Sequence, residues 1–267
     1  MELHDKVVLV TGASRGIGAA VASAAVAKGA VVGLIARTGG DLEEVLGQVG
    51  RRGAAATADV ADSEALAGAI ATLETELGPV DVLIANAGIG AYGPFADIEA
   101  DEMERLVKVN VLGTMYAIRN VLPGMIARRR GHIVTIGSIA GRIGSPFEAV
   151  YSATKFAAVG LTEALAVEVE PYGIGVSVVN PGPVASNFGA ARGHPYDRDR
   201  PKPVAPAEVA DAVVDAIEHD KRELYVPQWF RPAVVVRHLV PPMLRWGTRR
   251  SFRDELAADG ATRSPRS

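Results

Sequence analysis

The segment Tyr151-Ser152-Ala153-Thr154-Lys155 sets a phenol and an ammonium four residues apart, one turn of an α-helix. Side chains at that spacing are neighbours on one helix face. A phenol can give or take a proton, but its ordinary pKa of about 10 poises it badly at neutral pH. A cation one turn along favours the phenolate and is expected to lower that value. A Tyr-x-x-x-Lys spacing on its own is most often a solvated polar pair. Here the residues that follow, Phe156, Ala157, Ala158, Val159 and Leu161, read as a buried helix instead. The chemistry then depends on what else the chain brings to the same place.

A second candidate lies near the start. The run TGASRGIG at 11–18 follows an apolar stretch and opens a helical one, and its Gly12, Gly16 and Gly18 have the spacing G-x-x-x-G-x-G. Glycines let the backbone turn tightly and approach a pyrophosphate, while a helix N-terminus offers free N–H groups and a positive dipole end. Between the first strand and first helix of an α/β chain, such a turn reads as a dinucleotide site. No Gly-Lys-Ser/Thr follows, which disfavours a phosphate-hydrolysing P-loop. Where a carboxylate would accept from a free ribose 2′-OH, at the end of the second apolar run, the chain has Arg37 and Thr38. Arg37 and Arg15 suit a 2′-phosphate, so NADP(H) is favoured, with NAD(H) as the other option.

These residues need elements to position them. Of the 267 residues 48% are hydrophobic, enough for one large core. Short β-branched runs at 6–11, 30–36, 54–59, 80–86, 131–137, 175–180 and 223–227 alternate with helix-period segments at 18–28, 62–77, 101–127, 150–170 and 207–218. The strand runs are continuously apolar, as when helices cover both faces of a parallel sheet. Right-handed crossovers then predict a Rossmann-like, doubly wound α/β fold with a mainly parallel sheet of about seven strands. No break marks a second domain, so 1–227 is expected to form the catalytic domain and 228–267 its helical C-terminal extension. The polar, proline-containing stretch 187–206 reads as a flap.

The composition also excludes. A net charge of −3 provides no global basic field for nucleic acid. The absence of cysteine removes disulfides, thiolate metal sites and thiol nucleophiles together. The histidines lack a helical metal-ligand spacing, so no metal site is expected. No apolar run reaches the ~18 residues of a membrane span, and the polar start MELHDKVVLV is unlike a signal peptide; a cytoplasmic location is expected.

Taken in order, TGASRGIG (11–18), ADV (58–60), ANAG (85–88), VNVLG (109–113), IGS (136–138), YSATK (151–155) and NPG (180–182) resemble the motifs of the single-domain short-chain dehydrogenases/reductases. Each motif is degenerate; the ordered set is specific. The resemblance spans 5–227 and implies a Rossmann domain with a substrate region toward its C-terminus. It implies a catalytic group of Asn110, Ser138, Tyr151 and Lys155. It places Asp59 and Val60 by the adenine, Asn86 and Gly88 on the ribose side, and Pro181 and Gly182 by the nicotinamide, with Ala87 a further cofactor contact. Ser14, Ile17 and Val184 complete the implied cofactor contacts. In such a group Tyr151 protonates the developing alkoxide as hydride reaches carbon, and Ser138 bonds the carbonyl oxygen. Lys155 lowers the phenol's pKa and holds the cofactor ribose, while Asn110 fixes backbone and the water chain that resupplies the proton. The family also implies a homodimer or homotetramer, formed through the helices at 101–127 and 150–170.

The C-terminal end departs from the family's acyl-carrier-protein reductases, which close with a short glycine-containing strand motif. Here ELYVPQWFRPAVVVRHLVPPMLRW is followed by a charged tail. That favours a hydrophobic carbonyl or secondary alcohol, steroid-, retinoid- or acyl-like, as the small-molecule substrate. The rival readings are a catalytically inactive NADP-sensing protein, a 3-oxoacyl-carrier-protein reductase-like enzyme, and an extended-type epimerase or dehydratase. The stretch 231–246 is read as short helices forming a lid or subunit contact, ahead of docking on a membrane surface. The last residues, 259–267, read as disordered. Phe188, His194 and Tyr196 of the flap are candidates for substrate contact, and Arg128, Arg129 and Arg130 read as a solvated helix end.

Overall fold

The structure is a computed structural model and describes residues 1–196 and 201–263. Its strands are β1 (Val7–Thr11), β2 (Val31–Ala36), β3 (Gly53–Thr57), β4 (Val82–Ala85), β5 (Gly131–Ile136), β6 (Ile174–Pro181) and β7 (Glu223–Val226). They pair in parallel throughout, in the order β3-β2-β1-β4-β5-β6-β7. The helices in chain order are α1 (Gly16–Ala27), α2 (Gly39–Val49), α3 (Ser63–Leu77), α4 (Ala100–Val107), α5 (Gly113–Arg128), α6 (Ala149–Val169), α7 (Phe188–Ala191), α8 (Pro206–His219), α9 (Phe230–Leu239), α10 (Pro241–Ser251) and α11 (Arg253–Arg263).

Alternation along each strand divides the apolar residues between two cores. Val8 and Val10 of β1 join Val21 and Ala25 of α1, Leu42 of α2 and Val213 of α8. Val7 and Leu9 point the other way, onto Leu66 of α3, Val121 of α5 and Leu165 of α6. Both faces of the sheet are thus covered, which is why its strands read as continuous apolar runs. Strand order reverses between β1 and β4, and ligands bind at such a switch point beyond the C-terminal strand ends.

Several elements differ from what the sequence predicts. Helix α2 is hidden by Gly39, Gly40 and Gly47, which weaken helix propensity, yet Leu42, Val45 and Val49 bury one face of it. The run at 101–127 is two helices joined by a π-helical turn, Lys108–Leu112, which buries Asn110. Prolines do not disrupt the C-terminal segment: Pro232 lies in the first turn of α9, and Pro241 and Pro242 open α10, where no N–H is required. Helix α11 runs to Arg263, into the stretch expected to be disordered, and 264–267 lie outside the described residues. The predicted flap contains α7, and its Val204 bridges to Val184 just before it; its residues 197–200 lie outside the described ones.

The three arginines at 128–130 end α5, Arg129 and Arg130 exposed, and they also tie elements together. Arg130 grips the buried carboxylate of Asp81 through Nε at 3.1 Å and Nη2 at 2.8 Å. Arg128 donates to the Val80 carbonyl at 2.7 Å and Arg129 to that of Pro171 at 2.6 Å. Among the described residues no helix is long and apolar enough to cross a membrane.

Candidate active site

A cavity of about 930 Å³ lies over the C-terminal ends of the strands. The glycine turn forms one end of it. Gly12 has φ +66°, a conformation that favours glycine, and Cβ added to Gly18 would lie 2.3 Å from the Gly12 carbonyl oxygen. Asn86 holds the turn from below, its Nδ2 donating to the carbonyls of Thr11 at 2.9 Å and Gly12 at 3.0 Å. In return the N–H groups of Asn86 and Ala87 donate to Thr11 Oγ1. The ends of β1 and β4 are therefore fixed to each other at the switch point.

Most of the residues expected at the site line this cavity: Gly12, Ser14, Arg15, Gly16 and Ile17 in the turn, then Arg37, Asp59, Val60, Asn86, Ala87 and Gly88. Ser138, Tyr151 and Lys155 line it further along, with Pro181, Gly182 and Val184. Gly18 and Asn110 do not reach the wall. Asn110 works from behind, exchanging two hydrogen bonds of 2.8 Å with the N–H and carbonyl of Ile89 and donating to Thr154 Oγ1 at 3.0 Å. Its position in the π-helical turn clamps the loop after β4 onto α6.

At the centre, Tyr151 and Lys155 project from α6, and Ser138 from the turn after β5. Ser138 Oγ accepts from the Ala140 N–H at 3.1 Å, which fixes the hydroxyl beside the phenol. Lys155 Nζ donates to the Ile136 carbonyl at 2.8 Å and lies 5.9 Å from the centre of the Tyr151 ring. One of its three N–H groups is so engaged, and the side chain lines the cavity with the rest. The expected lowering of the phenol's pKa by the lysine is not what the geometry gives. Burial raises Tyr151, with the Glu148 charge adding to the rise; the Ser138 hydrogen bond and Arg192 oppose it. Burial also lowers Lys155, to about 8. Both groups respond chiefly to leaving water, and the phenol is held in its protonated form.

Sequence reading misses several of the residues that close the site, Glu148, Arg192 and Tyr92 among them. Glu148 at the start of α6 pairs with Arg192, which follows α7, and both side chains are nearly buried. Arg192 also lies 5.1 Å over the Tyr92 ring and donates to the His194 carbonyl. His194 stacks on Tyr92 at 4.1 Å, and Phe188 sets its ring 5.6 Å from that of Tyr151. Phe188 and Tyr196 line the cavity as anticipated; His194 meets Tyr92 instead. The outer wall is apolar, with Ile139, Ile143, Phe188, Phe230, Leu244 and Phe252. Leu244 and Phe252 come from the C-terminal extension, where no spacing in the sequence signals a site.

The far end is polar. Arg15 and Arg37 both line it, both are exposed, and among the described residues neither guanidinium has a hydrogen-bond or ion-pair partner. No carboxylate stands at 36–38. Positive-φ glycines, a helix N-terminus and free guanidinium groups in one cleft fit a dinucleotide with its phosphates.

Comparison with known proteins agrees with this arrangement. The family model described as short chain dehydrogenase matches residues 6–197. Dehydrogenase/reductase SDR family member 7B of Mus musculus is 34% identical over 257 residues, 90% of this chain and 79% of that protein. The Inactive 2-(S)-hydroxypropyl-CoM dehydrogenase 2 of Xanthobacter autotrophicus is 45% identical over 62% of this chain and 72% of its own. Glycine betaine reductase ATRR of Emericella nidulans is 42% identical over 70% of this chain, which spans only 15% of that much longer protein. A short chain dehydrogenase/reductase from Burkholderia phymatum, solved with NAD, superposes with a TM-score of 0.83 at 24% identity, over 91% of this chain and 96% of the other. An alcohol dehydrogenase from Thermococcus sibiricus, solved with 5-hydroxy-NADP, gives 0.75 at 28% identity, over 83% and 96%. The chain belongs to the short-chain dehydrogenase/reductase family of oxidoreductases, which bind nicotinamide cofactors.

Proposed function

We propose that the protein is an NADP(H)-dependent carbonyl reductase or alcohol dehydrogenase acting on a hydrophobic ketone or secondary alcohol. One observation carries this reading: a buried, protonated phenol, Tyr151, stands beside Ser138 in a cavity whose outer wall is apolar. When bound, the cofactor supplies or accepts the hydride. Gly12, Ser14, Arg15, Gly16 and Ile17 would hold its pyrophosphate, Asp59 and Val60 its adenine, Asn86, Ala87 and Gly88 its ribose side, and Pro181, Gly182 and Val184 its nicotinamide. Related solved structures contain NAD in one case and an NADP analogue in another, so the preference for NADP(H) rests on this chain's Arg15 and Arg37.

The proton chemistry follows from the side chains. Ser138 Oγ orients the substrate oxygen toward Tyr151 Oη and stabilises its developing charge. Tyr151 Oη donates its proton to that oxygen, and burial keeps the phenol protonated for this purpose. Lys155, cationic below about pH 8, stabilises the phenolate left behind and offers its remaining N–H groups to a ribose. Asn110, through Ile89 and Thr154, positions this group without touching the substrate. Phe188, Phe230, Leu244 and Phe252 exclude water from it and favour an apolar substrate. A homodimer or homotetramer through α5 and α6 belongs to the same reading; Met115 and Val167 are apolar and exposed on those helices.

Replacing Tyr151 by Phe tests the assignment. Turnover of a ketone should fall about 10²–10⁴-fold while NADPH affinity stays near that of the parent protein. Near-normal kcat would show that Tyr151 is not the acid. Tight NADPH binding with no turnover of any ketone or alcohol, in the unaltered protein, would favour a nucleotide-sensing protein, in line with the relative named as inactive.

A further inference from the structure

The exposed apolar side chains are not spread evenly. Trp229, Val235, Leu239, Val240, Met243 and Trp246 are all exposed, Leu239 by 75% and Trp246 by 64%, and all lie on or beside α9 and α10. Both tryptophans of the chain are among them. Apolar side chains gathered on one exposed face mark an interaction surface. The same stretch, 228–253, has six arginines and no acidic residue, in a chain whose net charge is −3. Arg237 is engaged with the Arg142 carbonyl and the Phe156 ring, and Arg253 with Asp254. Arg231, Arg245, Arg249 and Arg250 are exposed.

Helical spacing gathers these residues into an exposed stripe on each helix. Leu244, Gly247, Thr248 and Ser251 turn toward the cavity, so Met243, Trp246 and Arg250 form an outer stripe on α10, with Arg245 and Arg249 beside it. Arg250 lies 5.7 Å over the Trp246 ring. On α9, Phe230 and Val234 are buried, while Arg231, Val235 and Leu239, at i, i+4 and i+8, form an exposed stripe.

We propose that the outer face of α9 and α10 docks onto an anionic lipid bilayer. Tryptophan rings and aliphatic side chains enter the headgroup boundary, while the guanidinium groups meet lipid phosphates. A second copy of the chain fits less well. An isologous contact would bring two arginine-bearing faces together, and the segment holds no carboxylate to pair with them. Because α10 lines the cavity with its other face, the docked chain holds that cavity close to the lipid. The docking does not depend on the reaction assigned to the cavity.

Co-sedimentation of the full chain with vesicles of phosphatidylcholine, with and without phosphatidylglycerol, tests this. Binding is expected to the phosphatidylglycerol vesicles, with a blue shift of tryptophan fluorescence. The pairs Arg245→Glu with Arg249→Glu, and Met243→Ser with Trp246→Ser, should each lose about tenfold in partitioning or more, at unchanged Tm and NADPH affinity. The proposal is overturned by no binding to either vesicle, by equal binding to both, or by folded variants that bind like the parent. It is also overturned if light scattering shows an oligomer that only these variants dissociate, which would assign the face to a second copy.

Discussion

Tyr151 and Lys155 share one helical turn, yet burial drives them in opposite directions. The phenol moves up, away from neutrality, and the ammonium down to about 8. Lys155 is therefore charged below about pH 8 and neutral above it, so kcat/KM for NADPH should be level at lower pH and decline as pH rises through about 8. A profile flat to pH 10, the ordinary phenol value, would contradict this. Lys155→Met removes a buried ammonium, so its Tm should equal or exceed that of the parent while turnover and NADPH affinity both fall. A clear drop in Tm would show that the charge is better compensated than its single bond to Ile136 implies. The spacing of these residues is legible in the sequence because their chemistry restricts the residue types. The sign of the phenol's shift is not legible, since it depends on burial, on Glu148 and on Arg192, which lies in the flap.

Strands and helices are tied to one another through buried polar contacts that the sequence shows only as isolated residues. His132 of β5 is one of these. Its Nε2 lies 2.8 Å from Ser177 Oγ, and Ser177 donates in turn to the Lys221 carbonyl, so the imidazole bridges β5 and β6 as a donor. Burial lowers its pKa from 6.5 to about 4. The folded state thus binds fewer protons than the unfolded state between those values. Stability is complete above about pH 6.5 and is lost as pH falls toward 4, by on the order of 3 kcal/mol. Urea midpoints across that range should show the loss, and His132→Asn should flatten it; a parent protein with a constant midpoint would contradict the assignment. The β-branched runs make the sheet legible because both its faces are buried. Helix α2 and the π-helical turn around Asn110 are not, since tertiary packing rather than local propensity stabilises them.

On the scale of the whole chain, the switch point between β1 and β4 receives the cofactor end and the C-terminal helices cover the other. Truncation after Leu239 removes α10 and α11 while leaving Phe230 and Val234 in the core. It should raise KM for bulky ketones and leave NADPH affinity unchanged; an unchanged KM would leave α10 without a part in the substrate pocket. The glycine turn is foreseeable from its motif and the seven-stranded parallel sheet from its periodic apolar runs, whereas the reach of Leu244 and Phe252 into the cavity depends on how three late helices fold back. The most direct test compares initial rates of ketone reduction with NADPH and NADH, using the full chain and a panel of hydrophobic ketones. Arg15 and Arg37, unpaired among the described residues, and no carboxylate at 36–38 predict about 10²-fold higher kcat/KM with NADPH, after allowance for solvent screening. Arg37→Asp should reverse the preference. Comparable rates with the two cofactors, or no reduction of any ketone with either, would contradict the account.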